Sequence, residues 1–268
     1  MSSFLDDMIV RRTVRIAAEY GDLTPADRER LACCSRPVRD FASALRDRAD
    51  VAVIAEIKKA SPSVGPIAPQ CEASKQALHY QDGGAAAISV LTEPESFGGS
   101  FADLSDVADA VDISVLCKDF VVDPVQLFVA RGHGADAVLL MVSVLSQQIA
   151  EYIDVAETLG LTPLVEVITS EELTIALKAG ARVIAVNSRD LHTLQVDAPA
   201  ARALVTEAAD AGAVVVAASG TRWREDVVAA AAAGADAVLV GEALMREAFP
   251  EDVLQELTGV ARRAPVSG

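Results

Sequence analysis

Four times along this chain a Gly-Ala pair closes an alanine-rich stretch and opens a run of β-branched residues. The segments are Gly84-Ala-Ala-Ala-Ile-Ser-Val90, Gly134-Ala-Asp-Ala-Val-Leu-Leu140, Gly180-Ala-Arg-Val-Ile-Ala-Val186 and Gly234-Ala-Asp-Ala-Val-Leu-Val240. Their glycines fall about fifty residues apart, which is room for two strand–helix modules. Each glycine is expected to adopt the left-handed backbone that ends a helix, and the residues after it to enter a strand. Short apolar runs then mark strands at 51–57, 86–91, 113–118, 137–142, 163–167, 183–187, 214–218 and 237–240. Helical stretches fill the gaps, among them 123–132, 147–159, 171–179 and 224–233. Fully apolar strands separated by helices imply a parallel sheet covered on its outer face. The repeats would sit on strands two, four, six and eight, so the α/β fold expected is a closed (β/α)8 TIM barrel. No GxGxxG follows the first strand, which argues against an open dinucleotide-binding sheet. Residues 1–48 differ: dense in Arg and Asp, with helical spacing at Phe4, Leu5, Met8 and Ile9 and again at Phe41 and Leu45, they read as an N-terminal helical extension. The whole chain, 1–268, reads as a single domain.

Composition narrows the function. Hydrophobic residues make up 51% and charged residues 23% of 268, a globular balance. Aromatic residues reach only 4%, too few for base-stacking platforms. A net charge of −16 repels nucleic acids and acidic membranes. A small anionic substrate is compatible with that charge only where the protein supplies a local positive field. The longest apolar stretches, such as 227–235, fall far short of the ~20 residues that span a bilayer. Residues 1–10 carry Asp6 and Asp7 and lack a basic start, so they do not read as a signal peptide, and a cytoplasmic protein is expected. Cys33, Cys34, Cys71 and Cys117 show no metal or pairing spacing and read as reduced thiols. His79, His133 and His192 are scattered, and no metal site is expected.

In such a barrel catalytic groups project from the C-terminal ends of the strands. Those ends are unexpectedly polar here. The first reads Val53-Ile-Ala-Glu-Ile-Lys58, followed by Ser61 and Pro62. Alternation puts Glu56 and Lys58 on one face, with Ile54 and Ile57 above or behind it. An acid and an amine on an inward face either pair as a plug or serve a ligand. The third strand ends in Cys117-Lys118-Asp119-Phe120. If Lys118 faces the mouth, Cys117 packs under the helices. Lys118 either snorkels to solvent or sits partly withdrawn from water, where a lysine gives up its proton more readily. Glu166 ends the fifth strand and Asn187 the sixth, with Arg189 just beyond. Ser219-Gly220 follows the seventh and Gly241-Glu242 the eighth, the usual barrel location for backbone N–H groups that close on a phosphate.

In this order the segments Ile54-Ala-Glu-Ile-Lys-Lys-Ala-Ser-Pro-Ser63, Ala87-Ile-Ser-Val-Leu-Thr-Glu93, Phe97-Gly-Gly-Ser100, Lys118-Asp-Phe120, Leu164-Val-Glu-Val167, Val186-Asn-Ser-Arg-Asp-Leu191 and Val238-Leu-Val-Gly-Glu242 resemble the indole-3-glycerol-phosphate synthase family over essentially the whole chain. The resemblance implies an extension lying over the barrel mouth and a cofactor-free ring closure. In that reaction 1-(2-carboxyphenylamino)-1-deoxyribulose 5-phosphate loses CO2 and water to give indole-3-glycerol phosphate. It implies Lys118 as proton donor, Glu166 as base, Glu56 orienting lysines or polyol, Lys58 on phosphate or a sugar oxygen, and Asn187 on a hydroxyl. Arg189 would meet the substrate carboxylate, Ser61 and Ser219 would touch substrate, and Pro62, Phe97 and Phe120 would form an apolar slot. Gly220, Gly241 and Glu242 would join Lys58 at the phosphate. The partner implied is a sugar-phosphate substrate, with association with other tryptophan-pathway enzymes left open. One position departs: the family carries Glu-Ser-Gly where this chain has Ala218-Ser219-Gly220. The alternatives are therefore a synthase lacking one carboxylate, a paralogue taking a substituted substrate, or a weakened sugar-phosphate-binding subunit. Buried charges at Lys118 and Glu166 speak against an idle subunit. A phosphoribosylanthranilate isomerase barrel shares the late glycine loops but requires a Cys–Asp pair in place of Glu56-Ile57-Lys58.

Overall fold

The structure, a computed structural model, describes residues 3–33 and 36–263, so Cys34 and the first two residues lie outside the described residues. Eight parallel strands close into a ring: β1 (Ala52–Ile57), β2 (Ala87–Leu91), β3 (Ser114–Lys118), β4 (Ala137–Met141), β5 (Thr162–Val167), β6 (Val183–Asn187), β7 (Val214–Ala218) and β8 (Ala237–Val240). Each pairs with the next, and β1 meets β8 from Ala52↔Ala237 to Ala55↔Val240. This is the expected (β/α)8 TIM barrel, with strand bounds within one residue of those read from the sequence. Gly84, Gly134, Gly180 and Gly234 all take positive φ, between 85° and 104°, at the helix-to-strand junctions of the repeat.

Three helices precede the ring: α1 (Phe4–Tyr20), α2 (Pro25–Leu31) and α3 (Phe41–Arg46). Around it lie α4 (Ala73–Asp82), α5 (Phe101–Ala110), α6 (Val125–Gly132), α7 (Val142–Leu145), α8 (Ile149–Thr158), α9 (Ser170–Lys178), α10 (Ala198–Asp210), α11 (Arg224–Ala233), α12 (Glu242–Met245) and α13 (Pro250–Leu257). Among the described residues no helix is long and apolar enough to cross a membrane.

Strand alternation sorts two apolar clusters. Ile54, Leu116, Leu139, Leu164, Val216 and Leu239 fill the interior of the ring, while Val53, Ile57, Val115 and Val165 pack beneath the outer helices. Ile54 therefore lies inside, one layer below Glu56, and not behind it; the period of two carries both to the same face. Cys117 joins the outer cluster, where burial pushes its thiol up to about 12.

Residues 1–48 divide between the two ends of the barrel. Helix α1 starts from a reciprocal Ser3–Asp6 capping box and buries Leu5, Met8, Arg12 and Ile16 on one stripe. It lies across the C-terminal ends of the strands, with Phe4 edge-on to Phe120 and Ser3 Oγ 2.9 Å from His192 Nδ1. Helix α3 sits at the opposite end. Its fully buried Phe41 and Leu45 join the first residues of the strands, Ala52, Ala87, Ala137, Val183 and Val214, and plug the ring from below. Arginines hold it there: Arg39 donates to the carbonyls of Val111 and Ile113, and Arg36 to that of Gly134.

The two aspartates of the repeat do the same job at opposite sides of the ring. Asp136 accepts from Val115 N at 2.8 Å and Asp236 from Val215 N at 2.7 Å, each tying its strand to the preceding one. Arg36 and Arg39, ahead of α3, pair with Asp136, and Arg262, near the end of the chain, pairs with Asp236.

Candidate active site

At the C-terminal mouth the strand ends surround one cavity of about 1160 Å³, open solvent included. Every site residue read from the sequence lines it: Glu56, Lys58, Ser61, Pro62, Phe97, Lys118, Phe120, Glu166, Asn187, Arg189, Ser219, Gly220, Gly241 and Glu242. They come from the ends of β1, β3, β5, β6, β7 and β8 and the loops beyond, with Phe97 on the loop after β2.

Glu56 is the electrostatic centre. Its Oε1 lies 2.9 Å from Lys58 Nζ and its Oε2 3.9 Å from Lys118 Nζ. Burial works to raise its pKa, but Lys58 and then Lys118 outweigh burial and hold it below the usual glutamate value. The pair is thus both a buried salt bridge and part of the cavity wall. Gly241 makes room for it, since a Cβ there would run into Glu56 Oε1 and crowd Lys58 Nζ. Any side chain at this turn would have to push aside the carboxylate it faces, a constraint the sequence does not display.

Glu166 projects inward from β5, only 2% exposed, and among the described residues neither of its carboxylate oxygens has a hydrogen-bond partner. An unpartnered buried acid is expensive to keep and is characteristic of a site that awaits a donor. The β6 end is better tied. Asn187 Oδ1 accepts from Arg189 N at 3.0 Å, and Arg189 Nη1 donates to Leu194 O at 2.9 Å. Ser219 adopts φ 65° and Gly220 φ 86°, and Ser188 Oγ donates to Ser219 O at 3.0 Å, so the turn after β7 is braced from β6. Positive φ at a serine stores strain of the kind that clusters at functional turns. Glu242 opens α12, and its carboxylate pairs with Arg246 at 3.0 Å. Ala218 ends β7 in register with Asn187 and Leu239 and lines the same cavity.

The apolar side is built from rings. Phe97 and Phe120 lie 6.0 Å apart, tilted by 40°. Glu93 fixes the loop bearing Phe97 by accepting from the backbone N–H groups of Glu95, Ser96 and Phe97. Residues that sequence reasoning missed include Asp119, Leu191, Leu194 and Arg222, all lining the cavity, and Arg12, which reaches Asp119 from α1. Asp119 was adjacent to a named residue and readable as such. Arg12 is one of three arginines in a helix of balanced charge, with no signal to distinguish it.

A TIM barrel whose mouth gathers two lysines, three buried carboxylates and an aromatic slot defines an acid–base enzyme acting on a small polar molecule with an apolar part. Comparison makes this specific. The family model for indole-3-glycerol phosphate synthase matches residues 5–257. The indole-3-glycerol phosphate synthase of Mycobacterium ulcerans (strain Agy99) is 44% identical over 96% of this chain and 94% of its own. That of Mycobacterium tuberculosis (strain ATCC 25618 / H37Rv) is 43% identical over the same shares. The chain belongs to the indole-3-glycerol phosphate synthase family. Among solved structures, a 3-hexulose-6-phosphate synthase superposes with a TM-score of 0.62 at 19% identity, covering 77% of this chain and 98% of its own, a likeness of fold.

Proposed function

We propose that this chain is an indole-3-glycerol-phosphate synthase, a decarboxylating carbon–carbon lyase. It closes the indole ring of 1-(2-carboxyphenylamino)-1-deoxyribulose 5-phosphate with loss of CO2 and water. The observation that carries the reading is the convergence of Lys118, Glu56 and the unpartnered Glu166 on one cavity. The chemistry needs only proton transfers. The ring carbon bearing the carboxylate attacks the ribulose ketone, and Lys118 gives its proton to the ketone oxygen as charge builds there. CO2 then leaves from that carbon. Glu166 takes the proton shed from the ring system and passes it to the new hydroxyl, which departs as water. Each positioned group of this kind contributes about 10²–10⁴-fold.

Lys58 and the Ser219-Gly220 and Gly241-Glu242 turns hold the phosphate, in the local positive field that a −16 chain requires. Glu56 holds both lysines aimed into the cavity. Asn187 meets a sugar hydroxyl, and Arg189 presents its planar fork to the carboxylate before it leaves. Phe97, Phe120 and Pro62 stack against the aromatic ring, with Ser61 at its edge. On this reading the enzyme works in the cytoplasm within tryptophan biosynthesis, taking substrate handed on by other enzymes of that route.

The test is incubation of purified protein with the substrate, followed by growth of indole fluorescence. Lys118→Met is expected to abolish it, and undiminished turnover in that variant overturns the assignment. Ala218, a methyl group on the cavity wall where the family resemblance implies Glu, favours a second reading in which the substrate bears an extra substituent. Ala218→Glu separates the two: a large gain on the unsubstituted substrate supports an impaired synthase, and no gain supports an altered substrate.

A further inference from the structure

Four cationic side chains line the cavity: Lys58, Lys118, Arg189 and Arg222. Lys58 and Lys118 both face Glu56, at 2.9 Å and 3.9 Å, so part of their charge is already answered inside the protein. Arg189 is assigned to the carboxylate of the substrate. A phosphate ester carries about −1.5 to −2 at pH 7 and offers three strong acceptor oxygens, more than a lysine shared with a glutamate can meet. Arg222 remains. It is exposed, and its side chain makes no ion pair among the described residues.

Its place in the fold suits that task. Arg222 stands two residues beyond Gly220, on the loop between β7 and α11. It also lines a second hollow of about 710 Å³, open solvent included, and Glu242 and Ala243 line both hollows with it. Arg222 is therefore part of the partition between them, beside the turns after β7 and β8. The backbone here is less available: Arg222 N and Trp223 N both donate to Asp226 Oδ2, at 2.8 Å and 2.9 Å. A carboxylate thus stands at the start of α11, where an anion would otherwise be favoured. Glu242 is held by Arg246 at 3.0 Å and leaves Arg222 free. We propose that Arg222 is a phosphate-binding residue of the active site, whose planar fork supplies the unshared positive charge that Lys58 and the two glycine turns lack.

This role rests on the reading that the substrate is phosphorylated, and binding of the product, measured by calorimetry, keeps the two apart. Indole-3-glycerol phosphate has already lost the carboxylate, so it isolates the phosphate contact. Arg222→Met is expected to weaken its binding at least tenfold. Indole glycerol, the same compound without its phosphate, should bind wild type and variant within twofold of one another. In turnover KM is expected to rise at least tenfold, with kcat changing less than threefold. Arg222→Lys, which keeps the charge but not the fork, is expected to lose less than Arg222→Met in both measurements. Because the side chain is exposed and unpaired, Tm should move by no more than about two degrees. Product affinity within twofold of wild type in Arg222→Met overturns the proposal. So does an equal loss on indole glycerol, which would place the arginine on another part of the ligand. A rise in KM with product affinity unchanged overturns it too, by assigning Arg222 to the carboxylate. If wild type neither binds the product nor turns over the substrate, the reading of the reaction falls first. If it does both and Arg222→Met does so equally well, only the role of Arg222 falls.

Discussion

Glu56 carries a charge in a place that disfavours it, and two lysines keep it there. Because its pKa in the folded chain is lowered, its contribution to stability is present above the ordinary glutamate value of 4.5 and lost as pH falls through the lower, folded value. Glu56→Gln removes that dependence. The stability difference between wild type and Glu56→Gln, read from urea midpoints, is therefore expected to shrink steadily below about pH 4.5. A constant difference across that range would mean that Lys58 and Lys118 do not hold the carboxylate ionised. Gly241→Ala tests the same group sterically. Its methyl displaces the Glu56–Lys58 pair, so activity is expected to drop at least tenfold while the melting temperature moves by only a few degrees. Charged side chains at strand ends were legible at this scale, because a Glu, Lys or Asn closing an apolar run stands out against its neighbours. The reason for Gly241 was not, since it depends on a carboxylate nearly two hundred positions away in the chain.

Helices and strands were legible to different degrees for a physical reason. Strand positions followed from apolar runs and from glycines that must take left-handed backbone, both local constraints. The destinations of α1 and α3 are tertiary, and nothing in the spacing of Phe41 and Leu45 says which end of a ring they enter. Arg36 and Arg39 decide it by reaching backbone carbonyls ahead of β3 and β4. Phe41→Ala is expected to cost about 3–5 kcal/mol of stability, as for other fully buried aromatic truncations. With α3 at the end opposite the cavity, kcat at low temperature should remain within about twofold of wild type. A large loss of kcat in a well-folded Phe41→Ala would show that the plug and the mouth are coupled.

For the whole molecule, Asp136 and Asp236 are the points where the repeat meets the extension and the C-terminal tail. Each is a buried acceptor for a strand N–H and for arginine from outside the ring. Removing either leaves buried donors unpaired, so Asp136→Ala and Asp236→Ala are each expected to cost roughly 3–5 kcal/mol. They share no partner, and the double variant should show the sum within about 0.5 kcal/mol. Chemical unfolding with a matched m-value measures this, and strong non-additivity would mean that the barrel floor acts as one unit. The clasp at the seam has a further result. Val51 N donates to Val260 O at 2.8 Å, Asp50 bridges Ala261, and Arg262 donates to Ala49 O at 3.2 Å. Residues 49–51 are thus locked by residues about two hundred positions further along the chain. A growing polypeptide on the ribosome must carry β1 with one open flank until β8 and the segment around residue 260 emerge, and that interval is when chaperone capture or misassembly has its opening.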